Sequence, residues 1–234
     1  MRPLCVIPAR AGSKRLARKN IAMLGGKPVV AWTIEAARES GVFDRVYVST
    51  EAADIADLAE GYGADVSVRR PVELSGDTVT NVDVSLHLLE TLAGRDQSYD
   101  VVYCLQPSSP LRHGKDIADA WRTFSESGKD FLASVTPIDP HYFHWALEAK
   151  GDGNYGMVFG DKYMRTRQEL PEFYRPNGAI KIARVEALRA RHNFFGASLA
   201  VHSMDEARSV HIATMTDLMF CEALVQSCRQ TRSI

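Results

Sequence analysis

The chain has 234 residues, 45% hydrophobic and 24% charged, with a net charge of −1 at pH 7. That length and balance suit one α/β domain with a sizeable buried core. Near-neutral charge argues against a general affinity for nucleic acid or an anionic membrane.

Strand-like and helix-like segments alternate through the first half. Leu4 to Pro8 reads as a buried strand and opens into a basic loop. Pro28 starts a helix with Val30, Ile34 and Ala37 on one face and Gly41 at its end. Arg45 to Thr50 is a strand. Residues 52–61 form a helix with Gly61 as terminator, and Asp65 to Arg69 a short strand. A polar connection leads to a helix capped near Thr80, with Val82, Leu86 and Leu89 inward and Gly94 at its end. Asp100 to Leu105 is an apolar strand. Residues 114–127 form a helix burying Ile117, Trp121 and Phe124, and Phe131 to Val135 is another strand. This order predicts βαβ units in a Rossmann-like, mostly parallel sheet with helices on both faces. Residues 138–176 break the pattern with clustered aromatics and glycines, and predict an inserted arm, a hairpin suited to dimer contact. Gly178 to Ile182 returns to a strand. Thr214 and Asp217 are spaced as a capping box for a last helix.

The four cysteines contain no Cys-x-x-Cys pair. Cys5 and Cys104 fall in apolar strands, so a reducing compartment without a disulfide framework or zinc site is expected. No apolar run reaches membrane-spanning length, and Met-Arg-Pro leads straight into a strand. A cytoplasmic protein is expected.

The most informative segment is Ile7-Pro-Ala-Arg-Ala-Gly-Ser-Lys-Arg15. A strand ends at Pro8, then small residues (Ala11, Gly12, Ser13) adjoin five cations, Arg10, Lys14, Arg15, Arg18 and Lys19. Taken alone, such a run is a solvated basic loop. At the carboxyl end of a strand in an open α/β sheet it becomes a grip for phosphates. Neither the Walker pattern nor Gly-x-Gly-x-x-Gly is present, so phosphate would be held by charge as much as by backbone.

Further segments accompany it in order: Lys19-Asn20, Arg70-Pro-Val-Glu-Leu74 with Asp77-Thr78, Leu105-Gln-Pro-Ser-Ser-Pro-Leu-Arg112, Arg167-Gln-Glu-Leu-Pro171, Arg175-Pro-Asn-Gly-Ala-Ile180 and Phe194-Phe195. Together they resemble the acylneuraminate cytidylyltransferases, or CMP-sialic acid synthetases, including relatives acting on legionaminic and pseudaminic acid. The resemblance implies a homodimer that joins CTP to a nine-carbon 2-keto sugar acid, releasing pyrophosphate. It implies that Arg10, Ser13 and Lys19 hold the triphosphate, with Arg10 and Lys19 stabilising the leaving group. Pro8, Ala9, Asn20, Arg70 and Asn81 would form the cytidine pocket. Gln106 would contact the sugar, although a turn-stabilising amide fits the same residue. Arg167 would reach the sugar carboxylate from the partner subunit, although a lone arginine is also at home in a surface ion pair. Phe194 and Phe195 would pack on the N-acyl group, with core packing as the plainer role for one of them. His144 stands near the place of a sugar-contacting lysine, and Lys181 in a strand position where tyrosine is frequent. Asp77 reads as a helix-start residue.

One stretch departs from the family pattern. The resemblance implies magnesium held by an Asp-x-Asp pair near the C-terminus, but Ser209-Val-His-Ile-Ala-Thr214 places His211 and Ala213 there. Magnesium favours hard oxygen ligands. Three readings follow: magnesium held mainly by CTP and water, His211 serving as a base or as a ligand for a softer metal, or a protein that binds nucleotide without turnover. A cytidylyltransferase for another 2-keto acid such as Kdo is a further alternative. The aromatic arm and Arg167-Gln168 argue against it.

Overall fold

The computed structural model describes residues 1–231, with side chains through Cys228. In chain order the strands are β1 (Pro3–Pro8), β2 (Met23–Leu24), β3 (Lys27–Pro28), β4 (Val46–Ser49), β5 (Val101–Cys104), β6 (Phe131–Ile138), β7 (Leu147–Gly151), β8 (Asn154–Met157), β9 (Phe173–Arg184) and β10 (Leu199–Ser203). The helices are α1 (Val29–Glu39), α2 (Ala53–Gly61), α3 (Asn81–Ala93), α4 (Gly114–Ser127), α5 (Pro140–His144), α6 (Val185–Arg191) and α7 (Met215–Thr231).

Among the described residues the central sheet has six strands in the order β10-β6-β9-β5-β1-β4. β1 runs parallel to β4 and β5, and β10 parallel to β6. β9 is antiparallel to both neighbours. The reason is topological. β6 ends at the carboxyl edge of the sheet, the arm is inserted there, and the chain must re-enter from that edge.

Period-two alternation splits the core. Cys5 and Ile7 of β1 join Ile34 of α1 and Ile117 and Phe124 of α4. Leu4 and Val6 point the other way, onto Leu88 and Leu92 of α3 and Leu188 of α6. Each fully buried aliphatic side chain contributes about 1.5–3 kcal/mol. Burial on both faces explains why the strands read as continuous apolar runs. A smaller cluster joins Leu16 of the basic loop to Ile212 and to Cys221 and Val225 of α7. The C-terminal helix therefore clamps the loop.

Several sequence expectations shift. Asp65 to Arg69 is not a strand. It makes one parallel bridge, Asp65 to Tyr47, and the Asp65 carboxylate turns the chain by accepting from the Ser67 amide at 2.9 Å. Gly61 stays helical, and the left-handed turn falls at Gly63, with φ of 84°. On α3 the buried stripe is Val82, Val84, Ser85, Leu88, Leu89 and Leu92, with Leu86 only partly covered. Trp121 is likewise partly buried, stacked on Phe124. Asp77 does not start a helix: Thr80 caps α3, exchanging hydrogen bonds with Asp83. The last helix begins as expected, with Asp217 accepting from the Thr214 amide at 2.7 Å. Within 138–176 the chain forms α5, the β7–β8 hairpin and short 3-10 turns before β9 begins.

Candidate active site at the carboxyl edge of the sheet

The strand order reverses around β1: β4 lies on one side and β5, the later strand, on the other. Open α/β sheets bind ligands in the crevice at such a switch point. An open cavity of about 410 Å³ lies there. Its walls are Pro8 at the end of β1, the basic loop, Arg70, the start of α3 and Gln106 just beyond β5.

The loop is held in place rather than solvated. Leu16 is buried, the Asn20 amide donates to the Arg10 carbonyl at 2.8 Å, and Glu51 accepts from the Ala11 amide at 2.7 Å. Arg10 donates to the carbonyls of Ser75 and Gly76 at 3.0 and 2.8 Å. It also pairs with Asp77 at 3.1 Å, and Lys14 reaches the same carboxylate at 2.7 Å. These cations hold Asp77 below the usual carboxylate range, Lys14 foremost. Lys19 donates to the Ile212 carbonyl at 3.0 Å. Burial pushes its ammonium down from its ordinary value, and the neighbouring Arg15 and Arg10 add to this. An anion between these groups would relieve that repulsion.

Of the residues named from sequence, Pro8, Arg10, Ser13, Lys19, Asn20, Arg70, Asn81 and Gln106 all line this one cavity. Five others are elsewhere. Ala9 is wholly buried in the core, its amide bonded to the Ser49 carbonyl at 3.0 Å. Phe194 is 3% exposed and packs with Phe131 and Leu188, the plainer of its two expected roles. Phe195, beside it, keeps partial exposure and meets Lys181. Arg167 sits exposed on the arm, 3.9 Å from Asp139, and does not line the cavity of its own chain. His144 is buried against the edges of Phe159 and Phe173, with neither ring nitrogen hydrogen-bonded. It is therefore not an open sugar contact within this chain.

Sequence reasoning treated Arg112 only as the end of a motif. It is fully buried and donates to the Ala179 carbonyl at 2.9 Å, to Thr33 Oγ1 at 2.8 Å and to the Gln106 carbonyl. It thereby fixes the backbone that aims Gln106. Burial lowers its pKa to about 10. Arg70 is likewise lowered to about 10, chiefly by burial, and donates to the Ser49 carbonyl at 2.6 Å. Asn177 links Ser209 at 2.9 Å with the Ala179 amide at 3.1 Å. A signal for Asn177 existed in the sequence, since a polar side chain inside a strand must find partners when buried; Arg70 and Arg112 lie in loops, where no such pattern marks them.

Gly178 has φ of 75°. A Cβ there would meet Gln106 Oε1 at 2.8 Å and His211 Nδ1 at 3.4 Å. The glycine is thus required both by its backbone conformation and by the close approach of these polar groups. His211 Nδ1 lies 3.2 Å from Ser109 Oγ. Burial, then Lys19, drives the imidazole down to about 4, so it is neutral at physiological pH. The Asp217 carboxylate is committed to the amides of Ala213 and Thr214. Among the described residues no group of three or more His, Cys, Asp or Glu side chains could hold a metal ion.

A cytidylyltransferase family model matches residues 4–188. The chain belongs to the cytidylyltransferase family. It is 34% identical over 94% of its length to an N-acylneuraminate cytidylyltransferase of Streptococcus agalactiae, but spans only 52% of that protein. So this chain is about half the length of that relative. It is 31% identical to a pseudaminic acid cytidylyltransferase of Campylobacter jejuni, covering 96% of each chain. It is 35% identical to a CMP-N,N'-diacetyllegionaminic acid synthase of Legionella pneumophila, covering 97% of each. A solved CMP:2-keto-3-deoxy-manno-octonic acid synthetase complexed with CTP superposes with a TM-score of 0.72 at 16% identity, over 97% of this chain and 99% of that one. That last likeness shows the shared nucleotidyltransferase fold. Among the described residues no helix is long and apolar enough to cross a membrane.

Proposed function

We propose that this cytidylyltransferase activates a nine-carbon 2-keto sugar acid of the sialic, pseudaminic or legionaminic type with CTP. The observation that carries the reading is the single cavity at the strand switch point, where Arg10, Ser13, Lys19, Arg70, Asn81 and Gln106 converge. The relatives named for such acids support the substrate class.

In this reading the anomeric hydroxyl of the sugar acid attacks the α-phosphorus of CTP. A sugar O–P bond forms, the α–β bridging P–O bond breaks, the hydroxyl proton passes to solvent and pyrophosphate leaves. The protein's part is positioning and charge stabilisation. Lys19 and Arg10 face the β- and γ-phosphates, where negative charge accumulates as pyrophosphate departs. Asp77 holds Arg10 and Lys14 at the mouth until the phosphates compete for them. Pro8, Asn20, Arg70 and Asn81 enclose the cytosine and ribose. Gln106, aimed by Arg112, reaches the sugar.

Magnesium would supply Lewis-acid charge at the phosphates. The donor set around residues 209–217 does not fit a protein-ligated magnesium: His211 is a nitrogen donor facing Ser109, and Asp217 is spent on α7. The same donor set favours a second reading, a protein that binds nucleotide without turnover. The arm, with exposed Tyr142, Trp145 and Tyr155, is proposed as the contact of a homodimer, which would carry Arg167 toward the partner's sugar site. The cytoplasm is the proposed location.

The test is pyrophosphate release from CTP with a panel of sialic, pseudaminic and legionaminic acids, with magnesium and then manganese. Release with one acid supports the synthetase. No release with any acid or metal, alongside calorimetric binding of CTP, supports the second reading.

A further inference from the structure

We propose that the Asp77 carboxylate competes with the terminal phosphates of the nucleotide for Arg10 and Lys14, and so both limits triphosphate affinity and hastens the departure of pyrophosphate. This deepens the proposed function and rests only on its nucleotide half. Five cations line the cavity: Arg10, Lys14, Arg15, Lys19 and Arg70. Among the described residues Asp77 is the one carboxylate in the same wall. Its two oxygens are divided between two of those cations. Oδ1 meets Arg10 Nη2 at 3.1 Å, and Oδ2 meets Lys14 Nζ at 2.7 Å. A phosphate group bridging the pair would meet the same two nitrogens with its own oxygens. A fixed negative charge at a polyanion site opposes the ligand.

A structural role does not account for that charge. Helix α3 is capped by Thr80 and Asp83, and the backbone of the basic loop is held by Glu51 and Asn20. Among the described residues the partners of the Asp77 carboxylate are Arg10 and Lys14 alone. Arg18, by contrast, is paired with Asp54 and is not part of the cavity wall. Arg10 is also built to change partner. Its Nη1 is spent on the carbonyls of Ser75 and Gly76 at 3.0 and 2.8 Å, and Nη2 alone meets the carboxylate. The guanidinium therefore stays in place while Nη2 exchanges Asp77 for a phosphate oxygen. Such an exchange lowers the apparent affinity of every ligand that needs the two cations, in proportion to the fraction of sites in which Asp77 holds them. Pyrophosphate is such a ligand. CMP, without the β- and γ-phosphates, is not. Once the α–β bridging bond has broken, the returning carboxylate takes back the cations that retain the product.

The test is calorimetric binding of CTP, CDP, CMP and pyrophosphate to the wild type, Asp77→Asn and Asp77→Glu, without and with magnesium. Both ion pairs are exposed to solvent, so the effect is modest. Asp77→Asn should bind CTP and pyrophosphate about 3- to 10-fold more tightly than the wild type, with CMP unchanged within about twofold and CDP between them. Asp77→Glu keeps the charge and should bind all four as the wild type does. CTP binding by Asp77→Asn that equals or falls below the wild type overturns the proposal. So does an equal gain for CMP, or a Glu variant as tight as the Asn variant. A loss of CTP binding seen only with magnesium would make Asp77 a metal ligand and overturns it as well. A residue that merely shapes the loop would change all the nucleotides alike. A wild type that binds no CTP refutes the nucleotide site itself. A wild type that binds CTP, with an Asn variant that binds it no better, overturns this proposal alone.

Discussion

The basic loop and the aromatic arm leave the same edge of the sheet, yet they are built in opposite ways. The loop is polar in composition and tightly held: Leu16 is buried, Asn20 and Glu51 bind its backbone, and Asp77 pins two of its cations. The arm is rich in apolar side chains and leaves them in the open, with Tyr142 83%, Trp145 58% and Tyr155 68% exposed. Cations that must meet a small anion are preorganised by the chain itself. Aromatic surface that the chain cannot cover is instead the kind of patch that marks a partner.

The sharpest way to break that comparison is to remove a held cation. Lys19→Ala should lower kcat/KM for pyrophosphate release by roughly 10²–10³-fold, about 3–4 kcal/mol of transition-state stabilisation, in line with loss of a preorganised charge donor. Its melting temperature should stay near that of the wild type, because relief of the repulsion among Lys19, Arg15 and Arg10 offsets the lost bond to the Ile212 carbonyl. A large drop in melting temperature would show that Lys19 is structural.

The arm should respond in the reverse sense. Tyr142→Ser combined with Trp145→Ser should weaken self-association by about 2–4 kcal/mol, as loss of aromatic anchors does. The variant should leave the sheet core intact. Sedimentation velocity across protein concentration checks this, and a wild type that stays monomeric at all concentrations would refute the arm's assigned role.

Gly178→Ala sharpens the contrast at the junction of the two regions. The methyl would press on Gln106 Oε1 at 2.8 Å in a left-handed backbone. A stability loss of about 1–3 kcal/mol is expected, and the activity should fall further than the stability because Gln106 moves. Chemical denaturation and pyrophosphate release read the two separately.

The smallest effect is a pH dependence. His211 is held down to about 4 in the folded protein, below its ordinary value of about 6.5. Between these values the unfolded chain binds the proton and the folded chain does not. The stability this gives is present above about pH 6.5 and is lost progressively as pH falls toward 4. His211→Gln keeps a hydrogen-bonding group beside Ser109 but cannot titrate. Its melting temperature should fall less than that of the wild type over this interval.

Much of the fold was legible in the residues. The apolar runs 4–7 and 101–105 could only be doubly covered strands, and Pro28, Thr80 and Thr214 marked helix starts by local chemistry that holds in any context. The basic loop at the cavity was legible because the cations follow a strand directly. What failed was the strand over 65–69, where the Asp65 carboxylate accepts from the Ser67 amide and turns the chain; which of Phe194 and Phe195 is core was decided by packing against Phe131 and Leu188.

The sequence by itself determined the α/β alternation, the cationic loop and the family, since these rest on periodicity, capping and ordered motifs. Only the tertiary structure decided that β9 runs antiparallel, that Arg112 aims Gln106 and that Asp77 guards Arg10 and Lys14. Each of these depends on which distant groups meet at one edge of the sheet. Spacing along the chain carries no information about a charge whose partner lies dozens of residues away.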